Sequence, residues 1–222
     1  MKNFSAVAVL ALFAACRSAP SIRPNAFDNG QPAAILSIQV QPKVASWAAE
    51  GAEGPELDAA PLLAQLRAVV VEAMAKNPHF KLVPEAKVLA APGYAAYAEP
   101  PHPSGYLAAP GYKPVTDETA YPKLAKEAGA EMGMGIMLNL AYREQDGAAV
   151  VVVSVGAIDV KGNGVWRGGA SAISDQRVDV RKANAKARNE AFKDAARKAM
   201  AQLEEAMTEQ LAFELARGRT GY

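Results

Sequence analysis

The chain has 222 residues, half of them hydrophobic, and a formal net charge of +1 at neutral pH. This length supports one domain with a substantial core, because domains usually contain about 100–200 residues. A nearly neutral chain has no strong overall field to attract nucleic acid or acidic substrates, so we expect no nucleic-acid partner. The single cysteine, Cys16, excludes an intramolecular disulfide.

The N-terminal residues have the pattern of an export signal. A lysine at position 2 precedes an uncharged apolar run over residues 6–15. A helix that spans a bilayer needs about 20 apolar residues, so this run is too short to span and is typical of a signal peptide. We therefore predict a signal peptide over residues 1–15.

The residues that end this run point to lipidation. Leu12-Phe13-Ala14-Ala15-Cys16 resembles the lipobox of bacterial lipoproteins, in which the signal peptidase cuts before a cysteine whose sulfur carries diacylglycerol. The resemblance implies that Cys16 is the lipidated N-terminus of the mature protein. The alternative is an ordinary secretory peptide that is cut near Ala15 or Ala19.

A lipidated cysteine predicts a membrane-anchored protein. Two or more acyl chains, palmitate among them, hold a protein stably on a bilayer. Arg17 stands where a retention aspartate would keep a lipoprotein in the inner membrane, so the resemblance implies the periplasmic side of the outer membrane. Residues 16–33 are rich in proline and poor in large apolar residues, which predicts a flexible tether.

Beyond the tether, the sequence predicts a strand, a helix and a second strand. Residues 34–40 (AILSIQV) favour a first strand. Asp58 and Pro61 favour the start of a helix with apolar residues at helical spacing, and Asn77-Pro78 ends it. Residues 80–83 (FKLV) form a second short strand in this interpretation.

Residues 91–122 form an insert that is rich in proline and tyrosine. It contains part of a short duplication, in which the sequence LAAPGY occurs at residues 89–94 and again at 107–112. Prolines interrupt regular structure, and long irregular loops are usually functional or disordered. Tyrosine gives a large contact area with few torsions to order, so one interpretation is a partner-binding loop, and the other is a tolerated disordered insertion. The candidate partner-binding residues are Tyr94, Tyr97, Tyr106 and Tyr112.

The remaining sequence predicts a short helix, a meander of three strands and a long helix. Residues 123–128 form the helix, and Gly129 ends it. Residues 132–143 alternate strictly, with large apolar side chains on one face and small ones, which would let a helix approach, on the other. Two glycine-containing turns then separate strands over 148–160 and 165–173. From about Asp179 to Leu215 no proline or glycine intervenes, which predicts a helix.

Together these elements predict an α+β fold. We expect a single mixed or antiparallel sheet, a three-stranded C-terminal meander and a backing layer of helices that includes the long C-terminal helix. The domain would cover residues 34–217 and contain the insert.

The sequence carries none of the common catalytic or metal-binding patterns. The two histidines, His79 and His102, have no ligand set at the spacing that zinc requires. A phosphate-binding glycine loop would need a Lys-Ser/Thr pair and a following helix, which Gly162 and Gly164 lack. We therefore expect no enzyme activity, no cofactor and no metal.

Three segments carry a resemblance to a known family. They are Leu124-Ala-Lys-Glu-Ala-Gly-Ala130, Val155-Gly-Ala-Ile-Asp-Val160 and Gly164-Val-Trp-Arg-Gly168. This series resembles the family of bacterial envelope lipoproteins that includes the curli channel CsgG, the activator LpoB and the N-terminal domain of TolB. The resemblance implies a sheet backed by helices and action through contact with other envelope proteins.

We therefore expect a non-catalytic adaptor or activator on the periplasmic side of the outer membrane, with self-association left open. The alternative is a subunit of a curli-type secretion or trans-envelope complex. A pore would need long amphipathic hairpins, which the proline-rich insert does not supply. A third interpretation is a surface lipoprotein whose tyrosine loop contacts glycan.

Overall fold

The protein is described by a computed structural model that covers residues 21–27, 30–41, 43–47, 54, 57, 59–98 and 106–218. Its strands are β1 (Ser21–Ile22), β2 (Pro32–Val40), β3 (Ala45–Ser46), β4 (Lys81–Leu82), β5 (Leu107–Ala108), β6 (Met132–Tyr142), β7 (Ala149–Asp159) and β8 (Gly164–Ile173). Its helices are α1 (Ala59–Lys76), α2 (Glu85–Leu89), α3 (Pro92–Ala96), α4 (Tyr121–Ala128) and α5 (Ala185–Ala216). Short 3-10 helices cover Pro24–Phe27 and Glu118–Ala120.

All eight described strands belong to one mixed sheet with the order β1-β8-β7-β6-β2-β4. Strands β6, β7 and β8 form an antiparallel meander, while β2 lies parallel to β6. The short strands β3 and β5 pair with β6 and β2, respectively. The predicted α+β fold, with its C-terminal meander and long helix, is therefore confirmed.

The main core lies between one face of the sheet and the helices α1 and α5. In β6 the alternate residues from Met132 to Tyr142 all join this core, as the strict alternation predicts. Helix α5 contributes Ala191, Ala195 and Ala199, each fully buried, so the absence of bulky groups lets the helix lie close to the strands. Burial of this apolar surface is the main source of stability.

The long helix starts later than the sequence predicts. The predicted start near Asp179 is wrong, because the main-chain N–H of Val180 donates to the carbonyl of Gly147 and fixes this segment on the turn after β6. The helix begins at Ala185, where the Asn184 side chain accepts a hydrogen bond from the N–H of Ala187 at 2.9 Å. This is the N-terminal cap that the first helical turn requires.

A second, smaller core lies on the other face of the sheet, under α2, α3 and α4. Here Gly133 and Gly135 leave room for the helix layer, as the sequence predicts. A methyl group on Gly133 would lie 2.5 Å from Leu36 Cδ1 and 3.4 Å from Ala125 Cβ. Helix α4 ends at Ala128 and is capped by Gly129, whose φ of 76° favours glycine. This cover reaches only the first part of β6.

Part of the predicted tether is packed against the domain. Ser21 and Ile22 pair with Arg167 and Trp166 of β8, and the Phe27 ring meets the Trp166 ring edge-on with centroids 6.5 Å apart. Strand β2 also starts at Pro32, inside the predicted tether 16–33. The flexible-tether prediction is therefore wrong for these residues, because edge pairing and one aromatic contact order a segment whose composition is poor in apolar groups.

Candidate partner-binding surface

The four tyrosines that the sequence proposes for partner binding lie in different environments. Tyr94 is only 1% exposed and Tyr112 only 7% exposed, so their rings are held inside the domain. Tyr97 and Tyr106 are half-buried. The prediction that Tyr94 and Tyr112 contact a partner is therefore wrong, because both rings are used to attach the insert to the sheet.

Tyr94 joins three segments through its hydroxyl group. The hydroxyl donates to the carbonyl of Leu36 at 2.9 Å and accepts from the N–H of Lys113 at 2.8 Å. Burial of the ring raises the pKa of Tyr94 to about 12. The tyrosine therefore stays neutral and links β2 to two separate parts of the insert.

Tyr112 is held by an ion pair between two helices. Arg67 of α1 donates from Nε to Glu85 Oε1 of α2 at 3.0 Å, and its Nη2 also contacts that carboxylate. Burial raises the pKa of Tyr112, and so do its hydrogen bond to Glu85 and the charge of that carboxylate. This cluster connects α1, α2 and the insert, and we assign it a structural role.

We expect Tyr94→Phe to lower the free energy of unfolding by about 1–3 kcal/mol. The change keeps the ring but leaves the buried carbonyl of Leu36 and the partly buried N–H of Lys113 without their partner. Urea denaturation followed by circular dichroism measures this loss. Tyr106→Phe is the matched control and should cost less, since it removes one half-buried bond to Asn139. Equal effects of the two changes would contradict the linking role of Tyr94.

Tyr97 and Tyr106 remain predicted contact residues. The Tyr106 hydroxyl donates to Asn139 Oδ1 at 2.9 Å, which places its ring near the middle of the sheet face that lies away from α1 and α5. The Tyr97 carbonyl accepts from Lys113 Nζ at 2.6 Å. Neither ring is fully buried, so both stay available in part to a partner.

Part of this sheet face is left exposed beyond the cover given by α4, and we call it the open face. Register across β2, β6, β7 and β8 places uncharged residues in three successive rows. The rows are Gln39, Met137, Ser154 and Gly169; then Asn139, Val152 and Ser171; then Ala141, Val150 and Ile173. Met137 and Ile173 are each 38% exposed, and Gly169 and Ser171 are exposed as well, whereas Gln39, Ala141, Val150 and Val152 in the same rows are buried.

The composition of the open face fits protein recognition. The centres of protein interfaces are poor in charged residues and rich in methionine and tyrosine. The open face has both properties, because Met137 and Tyr106 lie on an uncharged surface. Charged pairs lie near its ends, where Arg167 contacts Glu118 at 3.1 Å and Arg181 contacts Asp179 at 2.8 Å.

The sequence did not reveal this surface. The alternation in β6 predicts that the whole small-residue face lies under a helix, whereas only Gly133 and Gly135 do so. The available signal was Asn139 on that face, since a polar residue is uncommon under a packed helix.

Within the described residues, no group of three or more His, Cys, Asp or Glu side chains could hold a metal ion. No described helix is long and apolar enough to cross a membrane. The predicted lipidation site, Cys16, and the predicted signal peptide lie outside the described residues.

Several solved structures are similar to the chain. The C-terminal domain of LpoB from Salmonella enterica is 13% identical, with a TM-score of 0.38 over 73% of this chain and 90% of that chain. Lipoprotein GNA1162 from Neisseria meningitidis is 13% identical, with a TM-score of 0.42 over 82% and 96%. The PelC dodecamer from Paraburkholderia phytofirmans is 15% identical, with a TM-score of 0.32 over 84% and 95%. No family model matches the chain, and no curated protein matches it.

Proposed function

We propose that this chain is a lipid-anchored, non-catalytic adaptor of the bacterial cell envelope that binds another envelope protein. The observation that carries the binding function is the open face, an uncharged surface on which Met137 and Ile173 are exposed. Exposed large apolar side chains on an uncharged surface favour a protein partner, because their burial drives association. The proposed location is the periplasmic side of the outer membrane.

The proposed anchor is Cys16, supported by the apolar run before it and the lipobox-like Leu12–Cys16. Five residue steps separate Cys16 from Ser21, the first residue of β1. An extended chain covers at most about 3.6 Å per residue, so β1 would lie within about 18 Å of the acylated residue. This short distance would keep the domain close to the membrane surface.

Cys16→Ser tests the anchor. We expect the variant to remain unprocessed by the lipoprotein signal peptidase and to leave the membrane fraction, because serine cannot form the thioether to diacylglycerol. Metabolic labelling with palmitate and sedimentation of membranes measure both effects. Ser18→Ala is the matched control and should stay labelled and sediment with the membranes. Unchanged labelling and sedimentation of Cys16→Ser would sink the anchored-adaptor proposal.

Photo-crosslinking tests the adaptor role. A photoreactive amino acid placed at Met137 should give an adduct with one other envelope protein in living cells, since this side chain is exposed on the open face. The same amino acid at Phe213, which is 55% exposed near the end of α5, is the control and should give none. An adduct between two copies of this chain at position 137 would instead favour the subunit of a larger secretion complex. Identical results at both positions would contradict the open face as the binding surface.

A further inference from the structure

The outer edge of β8 is paired over only part of its length. Strand β1 covers Trp166 and Arg167, and no other described strand pairs with this edge. In an antiparallel strand, the main-chain groups of alternate residues point to opposite sides. The N–H of Ser174 donates inward to Ala149, so those of Gly169, Ser171 and Ile173 point outward. These N–H groups lie in one row with the main-chain groups of Arg167, which pairs with Ser21 of β1.

Lys198 closes the end of this edge that lies away from β1. Lys198 of α5 donates from Nζ to the carbonyl of Ile173 at 3.4 Å and forms an ion pair with Asp175. The outward N–H and carbonyl groups of Gly169 and Ser171 have no main-chain partner among the described residues. The open stretch therefore begins beside Ser21, the first residue of β1, and finishes at Lys198.

The side chains of the open stretch leave space for an approaching chain. Residues 168–172 are Gly-Gly-Ala-Ser-Ala, without the lysine or proline that proteins commonly place on exposed edge strands to prevent pairing. Gly169 and Ser171 are exposed, and Ile173 offers an apolar contact at the end of the stretch. A strand could approach without displacing a large side chain.

We propose that the edge of β8 from Gly168 to Ile173 binds an extended segment of a partner protein as an added strand. Main-chain donors and acceptors in a regular row are complementary to another extended main chain, and many domains recognise peptides by adding a strand in this way. Strand β1 already pairs with the same edge, so an added strand would prolong an existing interface. An apolar side chain of the partner would contact Ile173.

This inference rests on the proposed adaptor function, and it specifies where the partner's segment lies. The edge begins directly beside Ser21, which is at most about 18 Å along the chain from the proposed lipid anchor. A partner segment on this edge would therefore lie close to the bilayer. The inferred ligand is an extended, membrane-proximal segment of an envelope protein.

Ser171→Pro blocks the added strand while preserving the sheet. Proline lacks the N–H that an added strand would use, and the N–H of Ser171 points away from β7, so the ladder with β7 stays complete. Ser171→Ala is the matched control because it keeps the N–H. Circular dichroism and urea denaturation establish that both full-length variants fold like the unmodified chain.

The probes are seven-residue peptides, selected by phage display on the full-length protein in detergent. We expect selected peptides to bind the unmodified chain and Ser171→Ala equally, and to bind Ser171→Pro about tenfold more weakly or worse. In the bound state, amide hydrogen exchange at Gly169 and Ser171 should slow by about tenfold or more. Both results together support the proposal.

Two outcomes would overturn the inference. One is peptide binding that Ser171→Pro leaves unchanged, or that protects amides elsewhere. The other is slow exchange at Gly169 and Ser171 without peptide that becomes fast when residues before Ser21 are deleted, since the chain itself would then cover the edge. The first outcome does not depend on lipidation, so a failure there is distinct from a failure of the Cys16→Ser experiment.

Discussion

Phe192→Ala should lower the free energy of unfolding by about 3–5 kcal/mol. Phe192 lies on α5 with its side chain fully buried in the main core, beside Ala191, Ala195 and Ala196, which are equally buried. Small neighbours cannot move inward to fill the volume that the ring occupies, so the variant would keep a cavity. Urea denaturation of the full-length chain measures the effect, which is a large share of the stability of an ordinary domain.

Phe213→Ala is the control for this prediction because it makes the same change on the same helix. The Phe213 ring is 55% exposed and lies against Arg217, with the guanidinium carbon 5.1 Å from the ring centroid. We expect its loss to change stability by about 0.5 kcal/mol or less. Similar effects of the two substitutions would show that α5 does not pack on the sheet through Phe192.

Gly135→Ala should destabilise the domain by about 1–3 kcal/mol through overpacking. The added methyl group would overlap the Tyr121 hydroxyl and would lie 3.1 Å from Cζ of that ring. Tyr121 is buried at the start of α4, and its hydroxyl donates to the carbonyl of Val115 at 3.1 Å. The ring could move only by losing this hydrogen bond and displacing α4 from the sheet. Chemical denaturation gives the change in stability.

Gly156→Ala is the corresponding control. Gly156 is the neighbour of Gly135 across the β6–β7 pair, and a methyl group there would lie 3.7 Å from Glu118 Oε1, an ordinary contact. We expect a change within about 0.5 kcal/mol. A Gly135→Ala variant as stable as Gly156→Ala would mean that Tyr121 does not hold α4 against the sheet.

The sequence alone determined most of the sheet. The alternation over residues 132–143 predicts which side chains of β6 face the core, since successive side chains of a strand point to opposite faces. The turns around Gly147 and Gly162, with φ of 69° and 86°, then join β6, β7 and β8 in an antiparallel meander. These features depend on short segments of chain, and the structure agrees with them closely.

The candidate site depended on contacts that the sequence did not show. Tyrosines in a proline-rich segment predict an exposed binding loop, yet Tyr94 and Tyr112 are buried. Tyr94 is held by hydrogen bonds to Leu36 and Lys113, and Tyr112 by a hydrogen bond to Glu85. The small-residue face of β6 is only partly covered, since Gly133 and Ala141 are buried whereas Met137 is 38% exposed. The exposure of a side chain depends on how all the helices and strands pack together, so the sequence pattern alone could not predict it.

The repeated sequence LAAPGY separates local from tertiary determinants. In the first copy, Pro92, Gly93 and Tyr94 lie in helix α3, whereas in the second copy Leu107 and Ala108 form β5 and Gly111 turns with a φ of 87°. The local preferences of the two copies are identical. The sequence therefore determined that each copy contains a proline-glycine break followed by a tyrosine that can be buried. Only the tertiary structure decided which copy became a helix, because pairing of β5 with Gln39 and Val40 is available to the second copy alone.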